Sequence, residues 1–453
     1  VLRTPAVVLA LGFAVAATAG AAHGNPAGEV TTLHAPGDAD FVRAGVDYEL
    51  EIQSAEITRE RTGEPGADPL SPPGPRHELD YHRTRHVVTP RVEIGVYRDV
   101  WVSLALPFVI ADSTEIDLAP GVDRLTSSSV VDGILPAAGF DAGNPATAPT
   151  GNVMFRGVQR RGIEELRVGV GYAPMSQARD DTQPTWKLGI DVHAAIGGAM
   201  RFDAVEPGRE TGASTGVHQL SLWMSIDRRL RYFEGWLSAS YQLPLASRGN
   251  SLFQNPGFGA VNVDPGQVAR LGFGIEAFLT GDPASPAADT RISAELSTQM
   301  TAHFEGRGYG EMWEVFAYAG DRRTAGPLVL DADPVTPGGQ DLSHPGITNL
   351  ENYLETAARL ALRAHIGAHA SFAALGALSW RTDHVISFTD AGIDLPTCPS
   401  GAPRCETDDN TQVNPGTVEV NPLHDRRIDL VGHRYRAEHA TSILVGIEAR
   451  VAF

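Results

Sequence analysis

The amino-acid sequence predicts an all-β chain, a transmembrane antiparallel up-and-down β-barrel of about 12 strands, and three observations predict it. Side chains alternate between apolar and polar at a period of two through most of the chain. The connections between alternating segments fall strictly into short ones and long ones. The chain ends in a strand pattern whose last residue is Phe453. A period of two puts successive side chains on opposite faces. Closing the sheet on itself removes the unpaired edge that a terminal apolar strand would otherwise expose. No apolar run beyond the N-terminus reaches the ~20 residues of a membrane helix, but a barrel crosses with alternating strands and needs none.

Taken in order, the chain opens with Arg3, an apolar stretch over residues 6–17 and two small-residue sites, Ala17-Thr18-Ala19 and Ala19-Gly20-Ala21. This is the pattern of a secretory signal peptide over residues 1–21. Residues 22–40 are rich in Gly, Pro, Ala and Asp and read as a short irregular periplasmic segment, too short to fill a lumen. The barrel is expected over residues 41–453. Strands are predicted at about 41–59, 77–97, 100–116, 164–176, 184–200, 217–229, 232–247, 267–280, 290–304, 350–366, 370–388 and 428–453. In one of the clearest, Ile292, Ala294, Leu296, Thr298 and Met300 alternate with Arg291, Ser293, Glu295, Ser297 and Gln299.

Between these segments, the connections at 98–99, 177–183, 230–231, 281–289 and 367–369 are short. Those at 60–76, 117–163, 201–216, 248–266, 305–349 and 389–427 are long and rich in Gly, Pro and Asp. Strict alternation of the two kinds is the organisation of an outer-membrane barrel, with short periplasmic turns and long outer loops. The same pattern admits 10 or 14 strands, since Trp313-Glu-Val-Phe-Ala-Tyr318 inside 305–349 reads as a further strand.

The apolar stripe of each strand is expected to face lipid and the mixed stripe the lumen. Girdle candidates at the membrane interfaces are Trp186, Tyr172, Phe233, Tyr241, Phe278 and Phe453. The predicted lumen lining is Arg91, Glu93, Lys187, Asp191, His193, Arg270, Glu276, Arg291, Glu295, Gln299, His303, Arg359, Arg363, Arg381, Glu448 and Arg450. Two readings fit this mixture of signs: paired charges that fill a narrow barrel, and a wet pore whose charges orient polar solutes. Gly and Ala on the same face (Gly169, Gly171, Gly189, Gly197, Ala373, Ala377) would leave room for an open lumen.

Composition narrows the partners. A formal net charge of −19 argues against nucleic acid. Cys398 and Cys405, with six residues between them in an exported chain, read as a disulfide that pins one loop. No G-x-S-x-G elbow, Walker loop or H-E-x-x-H occurs, and the histidines are scattered, so neither catalysis, a metal nor a cofactor is predicted.

Two resemblances bear on function. The final segment, with Ile443, Ile447, Val451 and Phe453 on one stripe, resembles the C-terminal signature strand of bacterial outer-membrane barrels. That likeness implies that Phe453, Val451 and Ile447 form the signal read by the barrel assembly machinery. Residues 91–108, ending in Leu106-Pro107-Phe108, resemble a strand–turn–strand of the transporter-like outer-membrane proteins linked to phenol meta-pathway degradation. Residues 161–172 with the strand from Trp186, and 212–245 with Tyr241-Gln-Leu-Pro244, are similar to later hairpins of that family. The resemblance implies residence in the outer membrane of a Gram-negative bacterium, lipid around the belt, and passive uptake of small molecules, hydrophobic ones included. A structural or surface-binding barrel with a plugged lumen is the alternative, and an outer-membrane hydrolase a weaker one. The oligomeric state is not legible.

Overall fold

The computed structural model describes residues 41–61, 74–253, 264–281, 290–319, 346–367, 369–388, 425 and 427–453. The predicted signal peptide, the 22–40 segment and the pair Cys398 and Cys405 lie outside the described residues. Twelve strands form the wall. They are β1 (Val42–Glu60), β2 (Pro75–Tyr97), β3 (Val100–Ala105, continued as Phe108–Leu118), β4 (Arg160–Ile163, continued as Leu166–Met175), β5 (Thr185–Ala194) and β6 (Val217–Leu230). The second half comprises β7 (Phe233–Ser247), β8 (Val268–Thr280), β9 (Arg291–His303), β10 (Tyr353–Ile366), β11 (Ala370–Arg381, continued as His384–Ser387) and β12 (Tyr435–Ala452).

Each strand pairs antiparallel with the next, and β12 pairs with β1. Closure can be followed residue by residue. From Val100 the register leads through Tyr172, Leu188, Met224, Ala239, Leu271 and Met300. It continues through Thr356, Trp380, Thr441, Ser54 and His82 and returns to β3 at Glu115. The return point lies about 15 residues along the strand from the start, the stagger that a barrel of strands tilted by roughly 40° requires. At the seam the Phe453 amide donates to the Val42 carbonyl at 2.8 Å, and the Phe41 amide donates to the Phe453 carbonyl at 3.1 Å.

The outward stripe is apolar and exposed. Val170, Ile190, Phe273, Ile275, Leu296, Leu360, Leu362 and Ile447 all stand on the outer surface, with Leu296 61% exposed. A water-soluble fold would bury such a belt; in a bilayer it is solvated by acyl chains, while the closed ladder satisfies the backbone. Phe41, Tyr97, Tyr232, Phe233 and Phe453 are exposed around the end that carries the short turns, where aromatic girdles sit at the interface. At the opposite end β1, β2, β3 and β12 continue past the belt, and their exposed side chains become polar, as at Glu56, His82, Glu115 and His439. No described helix is long and apolar enough to cross a membrane.

Three expectations are corrected. The segment Trp313–Ala319 is a helix, α2, and not a further strand. All its residues except Tyr318 are buried, Glu314 among them, and a short, mainly apolar run carries no period that separates a strand from a buried helix. Phe278, a girdle candidate, is 8% exposed and lies under the Arg229 guanidinium at 5.1 Å; it shares parity with Glu276, so it points inward. The predicted strand at 428–453 begins only at Tyr435, because residues 427–433 form turns.

Candidate functional site

The inward stripes meet in a densely charged interior. Arg363 on β10 reaches across β9 and donates to Glu276 on β8 at 3.1 Å, with Glu295 on β9 at 3.6 Å. The Ser293 hydroxyl also donates to Glu276. Glu276 and Glu295 are almost wholly buried. Lys187 faces Asp227 at 3.5 Å, and Arg229 donates to Glu234 at 2.7 Å. Glu165 receives Arg167 at 2.6 Å and sits 3.0 Å from His193. Arg359 and Arg450 converge on Glu448 at 3.1 and 3.2 Å, Arg91 pairs with Asp47, and Arg270 donates to Gln242 at 2.9 Å. Glu93 lies on the Arg91 side of β2, and Gln299 donates to Thr301 at 3.2 Å. Arg291 and Asp191 are buried. Nearer the outer end, Arg381 binds Glu355 at 3.1 Å and Glu311 at 3.3 Å. His303, Tyr353 and His384 stack in a column at centroid separations of 4.2 and 4.4 Å.

Most of these charged side chains face an opposite charge. The physical reason is the cost of an uncompensated buried charge, several kcal/mol per ion even after relaxation. Sequence reasoning left out Asp47, Glu165, Asp112 and Asp227. Asp47 carried a usable signal, since Asp47, Glu49 and Glu51 alternate with Val46, Tyr48, Leu50 and Ile52.

The glycines on this face do not leave it open. Trp101, Trp223 and Trp236 point inward, each paired in register with a glycine on the adjacent strand: Gly171, Gly189 and Gly274. The indoles lie over those glycines. A Cβ at Gly171 would fall 2.3 Å from the Trp101 ring, and one at Gly189 would fall 2.4 Å from Trp223. At Gly169 the space holds the Asp191 carboxylate. Glycine in a strand here marks close approach by a neighbour's side chain.

The outer mouth is packed. α2 hangs inside it, with its Val315, Phe316 and Ala319 and the preceding Met312 fully buried. On one side Phe316 meets Phe388 and Tyr435 edge-on, at 4.9 and 5.3 Å. On the other, Trp313 meets Tyr309, which packs against Phe253. The loop after β3 adds Ile134, Leu135, Phe140, Met154 and Phe155 to the same apolar cluster. A short helix in that loop, α1 (Ser128–Val131), is fixed by Glu78, which accepts from the Ser128 amide at 2.8 Å and the Ser129 amide at 3.1 Å. Beside α2, Glu311 is held well below the usual carboxylate range, to about 2. Burial alone would raise it, but the His384 hydrogen bond and the charges of His384 and Arg381 outweigh that.

A closed antiparallel barrel with an apolar belt and a paired polar interior defines an outer-membrane type of β-barrel. Among solved structures, this chain is similar to an outer membrane channel from Pseudomonas putida F1, with 11% identity over 92% of this chain and 99% of that one and a TM-score of 0.34. It is similar to the outer membrane protease OmpT from Escherichia coli, with 6% identity over 92% and 98% and a TM-score of 0.29. It is also similar to a Pseudomonas aeruginosa FadL homologue, with 11% identity over 91% and 90% and a TM-score of 0.30. No protein-family model matches the chain, and no curated protein matches it.

Proposed function

We propose that this chain is an outer-membrane channel for passive passage of small molecules, hydrophobic ones included, that rests with its outer mouth closed. The observation that carries the reading is the charged interior. Well-packed apolar residues in place of a buried ion pair are often neutral or stabilising by roughly 1–4 kcal/mol. Stability alone therefore gives no reason to line a membrane cylinder with Arg363, Glu276, Glu295, Arg359, Glu448 and Arg450. A path for hydrated or polar-headed solutes does. The reading assigns transport and no chemical step.

Reconstitution into planar bilayers and solute-loaded vesicles tests it. Discrete conductance or solute flux is expected; the absence of both under all conditions would refute it. One observation favours the second reading, a surface-binding barrel: the apolar packing around α2 occupies the mouth. Deleting residues 320–345 and 389–424 separates the two. Loss of surface binding with unchanged permeability supports the second reading, and raised permeability supports the channel.

A further inference from the structure

One contact in the mouth differs from the apolar packing around it. Glu314, on α2, buries its carboxylate against the wall, where three donors converge on it. The Arg160 guanidinium donates to one oxygen and the Thr114 hydroxyl to the other at 3.0 Å. The Val158 amide lies 3.4 Å from the first. Both Arg160 and Glu314 are about nine-tenths or more buried. Gly157 supplies the space: a Cβ there would fall 1.8 Å from a Glu314 carboxylate oxygen and 2.1 Å from the Thr114 hydroxyl.

All of this cradle belongs to the wall and its loops, and none of it to α2. Arg160 is fixed without the helix, because it also donates to the carbonyls of Glu210 at 2.7 Å, Gly212 at 3.3 Å and Arg201 at 2.8 Å. Those bonds hold the guanidinium in one orientation and leave an edge aimed at the carboxylate. A guanidinium, a hydroxyl and an amide around a side-chain gap form a carboxylate receptor. α2 contributes the anion and, through Trp313, a ring 4.7 Å from the guanidinium. Where shape alone mattered, an apolar residue at 314 would fill the mouth with no charge to desolvate.

We propose that Arg160, Thr114 and the Val158 amide form a binding site for the carboxylate of a small solute, occupied at rest by Glu314, so that an incoming carboxylate displaces α2 and opens the mouth. Phe155 and Val158, on the same stretch of chain as Gly157, are buried and apolar, which suits a carboxylate on a small apolar body. The inference deepens the channel reading, and it rests on that reading only for what lies beyond the mouth.

The test reads the position of α2 directly. Ala319, fully buried on α2, is replaced by cysteine (A319C) in a full-length chain carrying C398S and C405S, reconstituted in vesicles. Labelling by a membrane-impermeant maleimide is then timed. Propionate at 50 mM is expected to speed labelling at least fivefold. Propionamide, and sodium chloride at equal ionic strength, should leave it unchanged. Glu314→Gln, which weakens the internal occupant, should label fast with no added solute. The proposal is overturned if propionate has no effect on the Glu314-containing chain, or if propionamide or salt matches it. Bilayer conductance is recorded separately. Propionate-driven labelling without conductance would leave the site standing and overturn the channel; conductance without a propionate response would do the reverse.

Discussion

Replacing Gly171 by alanine puts the tryptophan-over-glycine arrangement to a quantitative test. The new Cβ would sit 2.3 Å from Cε2 and Cζ2 of Trp101 and 2.8 Å from its Nε1. Carbon atoms in contact prefer about 3.5–4.0 Å, so the indole must move by more than 1 Å. It has little freedom to do so: Trp101 is 5% exposed and packed with Ala173 and Trp223. Overpacking of this kind costs about 1–3 kcal/mol. Trp101→Ala, which empties the same space, should cost about 3–5 kcal/mol if the site behaves as a packed core. With the indole gone the three atoms nearest the new Cβ are gone too, so the double variant should be no less stable than Trp101→Ala alone. The coupling would then be about 1–3 kcal/mol. Gly235→Ala serves as control, since a Cβ there meets nothing within 4 Å, and it should change stability by less than about 0.5 kcal/mol. Urea unfolding of the barrel in lipid vesicles measures all four chains. Strictly additive losses, or a Gly171→Ala chain as stable as the parent, would refute the claim that the indole occupies the glycine's space.

Three further outcomes are expected. Arg363→Met leaves Glu276 and Glu295 buried without their shared cation and should cost about 3–5 kcal/mol in the same urea assay; adding Glu276→Gln and Glu295→Gln should recover a large part of that loss, and no recovery would contradict the pairing. Glu311, with its folded pKa lowered to about 2, binds its proton more weakly in the folded than in the unfolded chain. Its contribution is therefore complete above the ordinary carboxylate value of 4.5 and lost as pH falls toward 2; protease cleavage at the mouth should rise over that window in the parent and rise less steeply in Glu311→Gln, and identical profiles would count against it. Phe453→Asp places a charge on the exposed rim at the β12–β1 seam and should reduce the amount of folded, heat-modifiable barrel recovered from outer membranes; normal recovery would argue against Phe453 as an assembly signal.

Much of the wall could be read from sequence, because a strand's two faces are written locally. Ile292, Leu296 and Met300 against Arg291, Glu295 and Gln299 fixes which side is which, whatever the partner strand. The parity of connection lengths then orders the strands. Strand ends were harder. β3 is interrupted at Leu106-Pro107, where the proline lacks an amide to donate, and β11 is interrupted at Thr382-Asp383. Such breaks are visible in the sequence only as single residues within otherwise continuous patterns.

The mouth and the filling of the lumen were not legible. Arg160 and Glu314 are 154 residues apart, and nothing local to either announces the other. Trp101 and Gly171 become neighbours only through the register of β3 on β4, so a glycine that looks like empty space in one strand is filled from the next. The sequence by itself determined that this is a closed, membrane-spanning sheet with an apolar exterior and a charged interior, since both follow from a two-residue period and the need to pair every backbone group in lipid. Only the tertiary structure decided which charges pair, which side chains fill the glycine gaps, and that a buried helix rather than another strand occupies the outer mouth. Those depend on contacts between segments far apart in the chain, and a periodic pattern carries no information about its partner.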